Sequence, residues 1–472
     1  MPDAILPVYL DVPDAARALV AYGLDELLRG LGLQAVPARA DDARLVVSTG
    51  GTAPDGALVL DVSPEAVDAL VSPRPAHVDR LGWVDVGGER WPLPAAPPGA
   101  AGGADVVASA AWWLAGLQET ATVARDRHGR FPYDASLQAR LGDGPGGPLR
   151  PAVDAYRRWL GDRLREHGVD VPGRTWGGAA WAVALTHDLD ALVTRRPRAL
   201  AGALGRGGAG LRRALARDVR WQSAHALRDL ARRHGVRSTW FVKPGAWAPE
   251  DLPADLGAGQ VRRFLRALAV EGHAVGWHPG YGAHEHPTRL RAERAAFTDA
   301  LGHAPRLART HFLRWTEPST PRLLERFGVR VDSTLGFAER PGFRRGTSHP
   351  FRVFDVGAGR ATGLWEVPLA VMDTALAVHQ GLEGQALADA LRAVLEAARQ
   401  AGGVAVVLWH NAVGADASWS RRLHTLDHSL GHALGAGAAV APLGDLLTMW
   451  GGGAGEISGG SPETPPMARR SL

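Results

Sequence analysis

The chain has 472 residues, 46% of them hydrophobic, with 53 Lys and Arg against 49 Asp and Glu; this suits a globular protein of two or three domains. There are no cysteines, which excludes disulfides, iron–sulfur clusters and cysteine-ligated zinc, so any metal must rest on His, Asp or Glu. Lys243 is the single lysine, and the net charge of +4 is carried by arginines interleaved with acids; without a basic stripe or a recognition motif, nucleic acid is not an expected partner.

The first third opens on an extended apolar segment, Ile5 to Val12, followed by a helix striped by Leu19, Leu24, Leu27, Leu28 and Leu31. Leu45-Val46-Val47 and Leu58-Val59-Leu60 read as strands, so residues 1–170 are predicted to form a small α/β domain. The Pro/Gly/Ala-rich stretch from Pro94 to Gly103 reads as a loop, Ala104 to Thr120 and Val153 to His167 as helices. The charged segment Arg125 to Phe131 reads as a solvated turn around Gly129 ahead of the alternative, a contact with the second domain. The N-terminus, Met1 to Ile5, lacks the basic and apolar regions of a signal peptide, and no run approaches eighteen uncharged apolar residues, so a cytoplasmic location without a membrane span is expected.

From Trp181 onward strands and helices alternate. Strand-like runs are Val183 to Leu185, Ser238 to Val242, Ala274 to Trp277, Leu307 to Phe312, Val329 to Leu335, Trp365 to Leu369 and Val404 to Leu408. Crossover helices between most of them predict a distorted (β/α) barrel of about seven parallel strands over residues 171–450. The Gly/Ser/Pro-rich tail, 451–472, is expected to be disordered.

Polar residues recur where these strands end. Asp188 and Asp190 are spaced by one residue, so both carboxylates point to one face of the first strand's C-terminal end, the end at which barrels keep their chemistry. His278, with His284 and His286 close behind, follows the third strand. Arg309, His311 and Arg314 follow the fourth, and Trp409-His410-Asn411 closes the last. Charged groups gather at such a place only if they satisfy one another or a ligand. His187 alternates to the opposite face from the two acids and reads as a structural hydrogen-bonding residue.

These segments resemble the polysaccharide deacetylases, the metal-dependent carbohydrate esterases that include chitin-oligosaccharide deacetylases. The resemblance runs from Trp181 to the last strand and helix. It rests on Thr186-His187-Asp188-Leu189-Asp190, on Ser238 to Val242, on Glu271 to His278, on Arg309 and on Leu408-Trp409-His410. A bacterial subgroup is more similar still, through Asp332 to Gly336, Gly342 to Thr347 and an N-terminal Arg-Asp-x-x-Gly-Arg-Phe segment matched at Arg125 to Phe131. The chain departs from the family where a second metal-binding histidine usually stands four residues after the first, because that position is Gly282.

The resemblance implies removal of an N-acetyl, or O-acetyl, group from a carbohydrate or glycoconjugate. Asp190 and His278 would hold a divalent metal, Zn²⁺ before Co²⁺, Mn²⁺ or Ni²⁺, with His284 expected as third ligand ahead of His286; water or a site of two residues stays open. Asp188 would be the general base, Arg309 its partner and His410 the general acid. Tyr281, Trp409, Arg314 and His311 are the expected substrate contacts, with Trp315 a further stacking candidate. Arg344 and Arg345 could meet an anionic substrate group but read more simply as surface residues. Two alternatives stand beside this: a non-catalytic carbohydrate-binding protein on a degenerate barrel, and a hydrolase of another non-peptide C–N bond.

Overall fold

The computed structural model describes residues 3–50, 55–98, 103, 105–190, 192, 207–251, 254–411 and 417–451. The tail expected to be disordered lies outside these from residue 452, as does part of the loop after Pro94.

Near the N-terminus, β1 (Ala4–Asp11), β2 (Leu33–Pro37), β3 (Leu45–Ser48) and β4 (Leu58–Asp61) form a parallel sheet in the order β2-β1-β3-β4. Helix Asp14–Gly30 connects the first two strands and buries the leucines of its stripe. A second helix, Pro64–Val71, starts at Ser63, whose hydroxyl accepts the Ala66 N–H at 3.1 Å. A two-stranded hairpin follows, β5 (Gly82–Val86) with β6 (Glu89–Leu93).

The helix expected over Ala104 to Thr120 is two: Val106–Leu114, buried along its whole length, and Leu117–Thr120. It breaks at Gly116, where φ is +69° and an added Cβ would fall on the guanidinium of Arg345. A left-handed glycine thus lets an arginine of the later sheet region pass.

The larger sheet holds β7 (Ala182–Leu189), β8 (Thr239–Val242), β9 (Ala274–Trp277), β10 (Leu307–Ala308), β11 (Val331–Asp332), β12 (Phe351–Asp355), β13 (Arg360–Glu366), β14 (Leu369–Met372), β15 (Val404–Leu408) and β16 (Ala439–Val440). Its order is β12-β13-β11-β10-β9-β8-β7-β15-β14, with β16 paired to the start of β7. Strands β13 and β14 stand near opposite ends of that path, yet only Val367 and Pro368 separate them in sequence. They are one bent strand. Its first half pairs β11 and its second half β15, both in parallel, which closes the ring. Pro368 has no N–H to give to a ladder, so the break falls where the chain changes partner. The ring is therefore a distorted α/β barrel with the bent strand as one member beside β7, β8, β9, β10, β11 and β15. The run read as Trp365 to Leu369 marks the corner.

Edge strand β12 runs antiparallel to β13 and is covered rather than exposed. The Tyr22 hydroxyl of helix Asp14–Gly30 donates to the Arg352 carbonyl at 2.7 Å, and its ring lies 4.7 Å from that of Phe354. One continuous set of buried side chains, among them Leu27, Trp113, Phe351 and Leu364, runs from the N-terminal region into the barrel. Among the described residues, no helix is long and apolar enough to cross a membrane.

Candidate active site

Strand β7 delivers Asp188 and then Asp190 to the C-terminal end of the ring, both on the face away from His187. The His187 ring is fully buried and its Nδ1–H donates to the Trp409 carbonyl at 3.0 Å. Asp188 is buried and accepts from Arg309 Nη1 at 3.1 Å. The same Nη1 donates to the Thr186 hydroxyl at 2.9 Å, while Nε and Nη2 bind the Ser333 carbonyl and hydroxyl. Each edge of this guanidinium is occupied, so it is held as a fixed cation against Asp188.

Asp190, partly exposed, faces histidines from two strand ends. Its Oδ1 lies 3.3 Å from His278 Nε2 and 3.4 Å from His311 Nε2. Each histidine spends its other nitrogen on a fixed acceptor. His278 Nδ1 donates to the Arg309 carbonyl at 2.6 Å, and His311 Nδ1 to Asp251 Oδ1 at 2.9 Å. Both Nε2 lone pairs are thereby turned toward Asp190. Burial would raise the Asp190 carboxyl, but the His278 and His311 imidazoles packed against it hold it well below the usual carboxylate range.

The fit to a metal can be tested on these atoms. A tetrahedral ion about 2.0–2.1 Å from each ligand sets neighbouring ligand atoms about 3.3–3.4 Å apart, which matches the separations of Asp190 Oδ1 from the two Nε2 atoms. Among the described residues, Asp190, His278 and His311 form the one His/Asp/Glu group with ligand atoms all within 4.8 Å of one another. Asp190 Oδ1 and His278 Nε2 are also buried without a hydrogen-bond partner. Two unsatisfied buried polar atoms aimed at each other call for something between them.

His284, the expected third ligand, is not in this group. Its Nε2 lies 3.2 Å from Glu285 Oε2, on the turn that precedes helix Pro287–Leu301. The place of the usual second histidine is taken physically as well as in sequence. A Cβ on Gly282 would stand 2.7 Å from Arg289 Nη1 and 3.3 Å from Trp247 Cβ. Arg289 lies over the Trp247 ring at 5.9 Å and donates to the Gly282 carbonyl at 2.7 Å. That stacked pair fills the space, and His311, expected as a substrate contact, is the residue grouped with Asp190 and His278. His286 is the N-cap residue of helix Pro287–Leu301.

Across the cluster His410 presents Nε2 4.0 Å from Asp190 Oδ2, while its Nδ1 donates to Asp373 Oδ1 at 2.6 Å. Burial disfavours its charge, but Asp373, and then Asp190 and Asp188, outweigh this and raise its pKa to about 9. Asp373 escaped the sequence reading although it directly follows β14, where the strand-end rule could have found it.

Asp251 and Lys243 were missed too. Besides His311, Asp251 accepts the Tyr281 N–H at 2.8 Å and the Trp247 N–H at 3.1 Å. The sole lysine is buried at the end of β8 with Nζ 3.1 Å from His311 Nε2 and 3.6 Å from Asp251. Burial lowers its pKa against the pull of Asp190 and Asp251. Beneath the loop, buried Glu293 accepts from Trp277 Nε1 at 3.0 Å and from the Gly280 N–H at 3.1 Å. Desolvation lifts its carboxyl to about 7.

The expected substrate contacts divide. Trp409 is fully buried in the core and cannot stack on a sugar. Trp315 is buried as well, its Nε1 donating to Glu317 at 2.7 Å. Tyr281 and Arg314 are half-buried and held by the N-terminal region: Tyr281 Oη lies 3.2 Å from His128 Nδ1, and Arg314 Nε donates to the His128 carbonyl at 3.0 Å. The segment Arg125 to Phe131, read as a solvated turn, therefore docks on the barrel beside the site. Arg344 and Arg345, read as surface residues, are buried against Glu119 and Glu317 of the packing layer between the two regions.

No protein-family model matches the chain, and no curated protein does. Solved structures similar to it include a Mycobacterium smegmatis protein assigned to the polysaccharide deacetylases, 23% identical over 58% of this chain and 91% of the other, at a TM-score of 0.41. A Bacillus subtilis peptidoglycan deacetylase is 13% identical over 58% of this chain and 92% of its own, at 0.29. A Bacillus anthracis pseudoenzyme of carbohydrate esterase family 4 is 12% identical over 56% of this chain and 65% of its own, at 0.31.

Proposed function

We propose that the protein is a metal-dependent hydrolase that removes an acetyl group, N-linked before O-linked, from a carbohydrate or glycoconjugate. The observation that carries the reading is the convergence of Asp190 Oδ1 with His278 and His311 at 3.3 and 3.4 Å, with Asp188 and His410 beside it. The carbohydrate part of the reading rests on the motif resemblance. The hydrolytic part rests on the arrangement of these side chains.

Asp190, His278 and His311 would hold the divalent ion, Zn²⁺ being best suited to one carboxylate and two imidazoles. When bound, such an ion makes water more acidic and polarises an acyl carbonyl. Asp188 is the general base. The fixed Arg309 guanidinium holds its Oδ1, and Oδ2 points toward the ligand cluster, 3.8 Å from His278 Nε2. His410 is the general acid: its pKa of about 9 keeps it protonated at neutral pH, ready to give its Nε2 proton to the departing amine. Asp373 fixes the imidazole's orientation by binding Nδ1.

The test is acetate release from a panel of N-acetylglucosamine-containing oligosaccharides and nucleotide- or lipid-linked sugars, with Zn²⁺ added or removed by EDTA. The expected result is release that EDTA abolishes, Zn²⁺ restores, and Asp188→Asn and His410→Ala each suppress. Zn²⁺-loaded protein that releases no acetate across the panel overturns the catalytic reading in favour of a binding protein. Release indifferent to EDTA overturns the metal.

A further inference from the structure

We infer that the turn formed by residues 126–130 of the N-terminal region is a working part of the active site, with Arg130 a positioning residue for His311. The inference rests on the reading of Asp190, His278 and His311 as the metal site.

The backbone just after His311 is strained. Phe312 and Leu313 are consecutive non-glycine residues with φ of +61° and +54°, in the left-handed region that side chains with a Cβ avoid. Such a conformation persists only where its surroundings hold it. It directly follows His311, so the placement of the Phe312 peptide bears on where His311 sits relative to Asp190.

The N-terminal turn supplies part of that hold. Asp126 Oδ1 accepts the N–H groups of His128 and Arg130 at 2.8 and 2.9 Å, and Oδ2 accepts Arg130 Nε at 2.7 Å. Gly129, at φ +75°, lets the turn close. Thus fixed, the nearly buried Arg130 donates Nη1 to the Phe312 carbonyl at 3.2 Å, the carbonyl of the first strained residue. The His128 ring packs against that of Phe312 at 4.8 Å. Arg314 ties the assembly from the barrel side, binding the carbonyls of both His128 and Tyr281. From within the barrel, His311 is held by Asp251 through its ring and by Pro279 through its N–H. The clamp on Phe312 comes from outside the barrel.

The experiment uses the full chain, with Zn²⁺ affinity measured by chelator competition and the visible spectrum recorded after Co²⁺ loading. Arg130→Met is expected to weaken Zn²⁺ binding about 10- to 100-fold, as loss of an outer-shell support does, and to alter the Co²⁺ spectrum. Val123→Ser, at a fully exposed side chain ahead of the turn, is expected to change neither. Circular dichroism and thermal melting check folding. If Arg130→Met does not fold, Arg130→Lys, which keeps a cation, decides by the same two readouts. A folded Arg130 variant with wild-type Zn²⁺ affinity and Co²⁺ spectrum overturns the inference. Wild-type protein that binds neither ion overturns the metal site itself, a separate and visible failure.

Discussion

His278 and Arg309 are joined by a 2.6 Å hydrogen bond from the imidazole Nδ1 to the arginine's backbone carbonyl, while the arginine's side chain reaches Asp188 at 3.1 Å. One residue thus orients the proposed metal ligand with its backbone and the proposed base with its guanidinium. The two duties can be separated. Arg309→Lys retains the carbonyl but loses the fork that also binds Thr186 and Ser333, so Zn²⁺ affinity is expected to stay within a few-fold of wild type while kcat falls about 10²-fold. Parallel loss of both would show that the side chain also sets the ligand geometry.

Asp373 makes His410 a stronger base, and the sign of its removal follows. In its proposed role as general acid His410 must be protonated, so activity is expected to be lost as pH rises through the His410 pKa of about 9. In Asp373→Asn the main group raising that pKa is gone, and the alkaline limb of kcat/KM is expected to move down toward the ordinary histidine value, about 6.5. The same pair contributes to folding. A histidine with a raised pKa stabilises the folded state fully below about pH 6.5, and that contribution fades as pH climbs toward 9. Asp373→Asn should therefore cost more stability at pH 6 than at pH 9.5, measured by urea unfolding. An unmoved alkaline limb would assign it to another group.

Glu119 joins the N-terminal region to the barrel, with the Arg344 guanidinium bound through Nε at 2.9 Å and Nη2 at 2.6 Å and Arg345 Nε at 3.3 Å. All three are buried. Removing one partner of such a cluster leaves cations in a low dielectric, which costs about 3–5 kcal/mol. Glu119→Ala is expected to lower unfolding free energy by that order. A loss below about 1 kcal/mol would mean that water already reaches the pair.

Lys243 puts a cationic group beside His311, 3.1 Å from Nε2 and 3.2 Å from Nδ1. Like charges compete there, so Lys243→Met is expected to tighten Zn²⁺ binding about tenfold, about 1.4 kcal/mol. Weaker binding in that variant would show that the ammonium serves instead by ordering Asp251 and His311.

The barrel was legible because its buried strands are continuous apolar runs between striped helices, from Val183 to Leu185 through Val404 to Leu408. Asp188, Asp190, His278, Arg309 and His410 were legible as a site because each directly ends or follows such a run. His311 was placed in another role, since the partner expected for Asp190 and His278 on the turn after His278 comes instead from the end of the next strand, ahead of a left-handed bend that no periodicity encodes. Asp251, Lys243 and Asp373 reach the histidines of the site across 60, 68 and 37 positions of sequence, and a lone acid or lysine carries no sign of its partner. Arg344 and Arg345 looked like surface charge because burial of arginine depends on a distant carboxylate.

The account turns on which side chains bind the metal, and Zn²⁺ stoichiometry and affinity in His311→Ala and His284→Ala measure that most directly. The expected result is one tightly bound Zn²⁺ in wild type and in His284→Ala, and binding weakened at least 100-fold in His311→Ala. Tight binding retained by His311→Ala and lost in His284→Ala would contradict it.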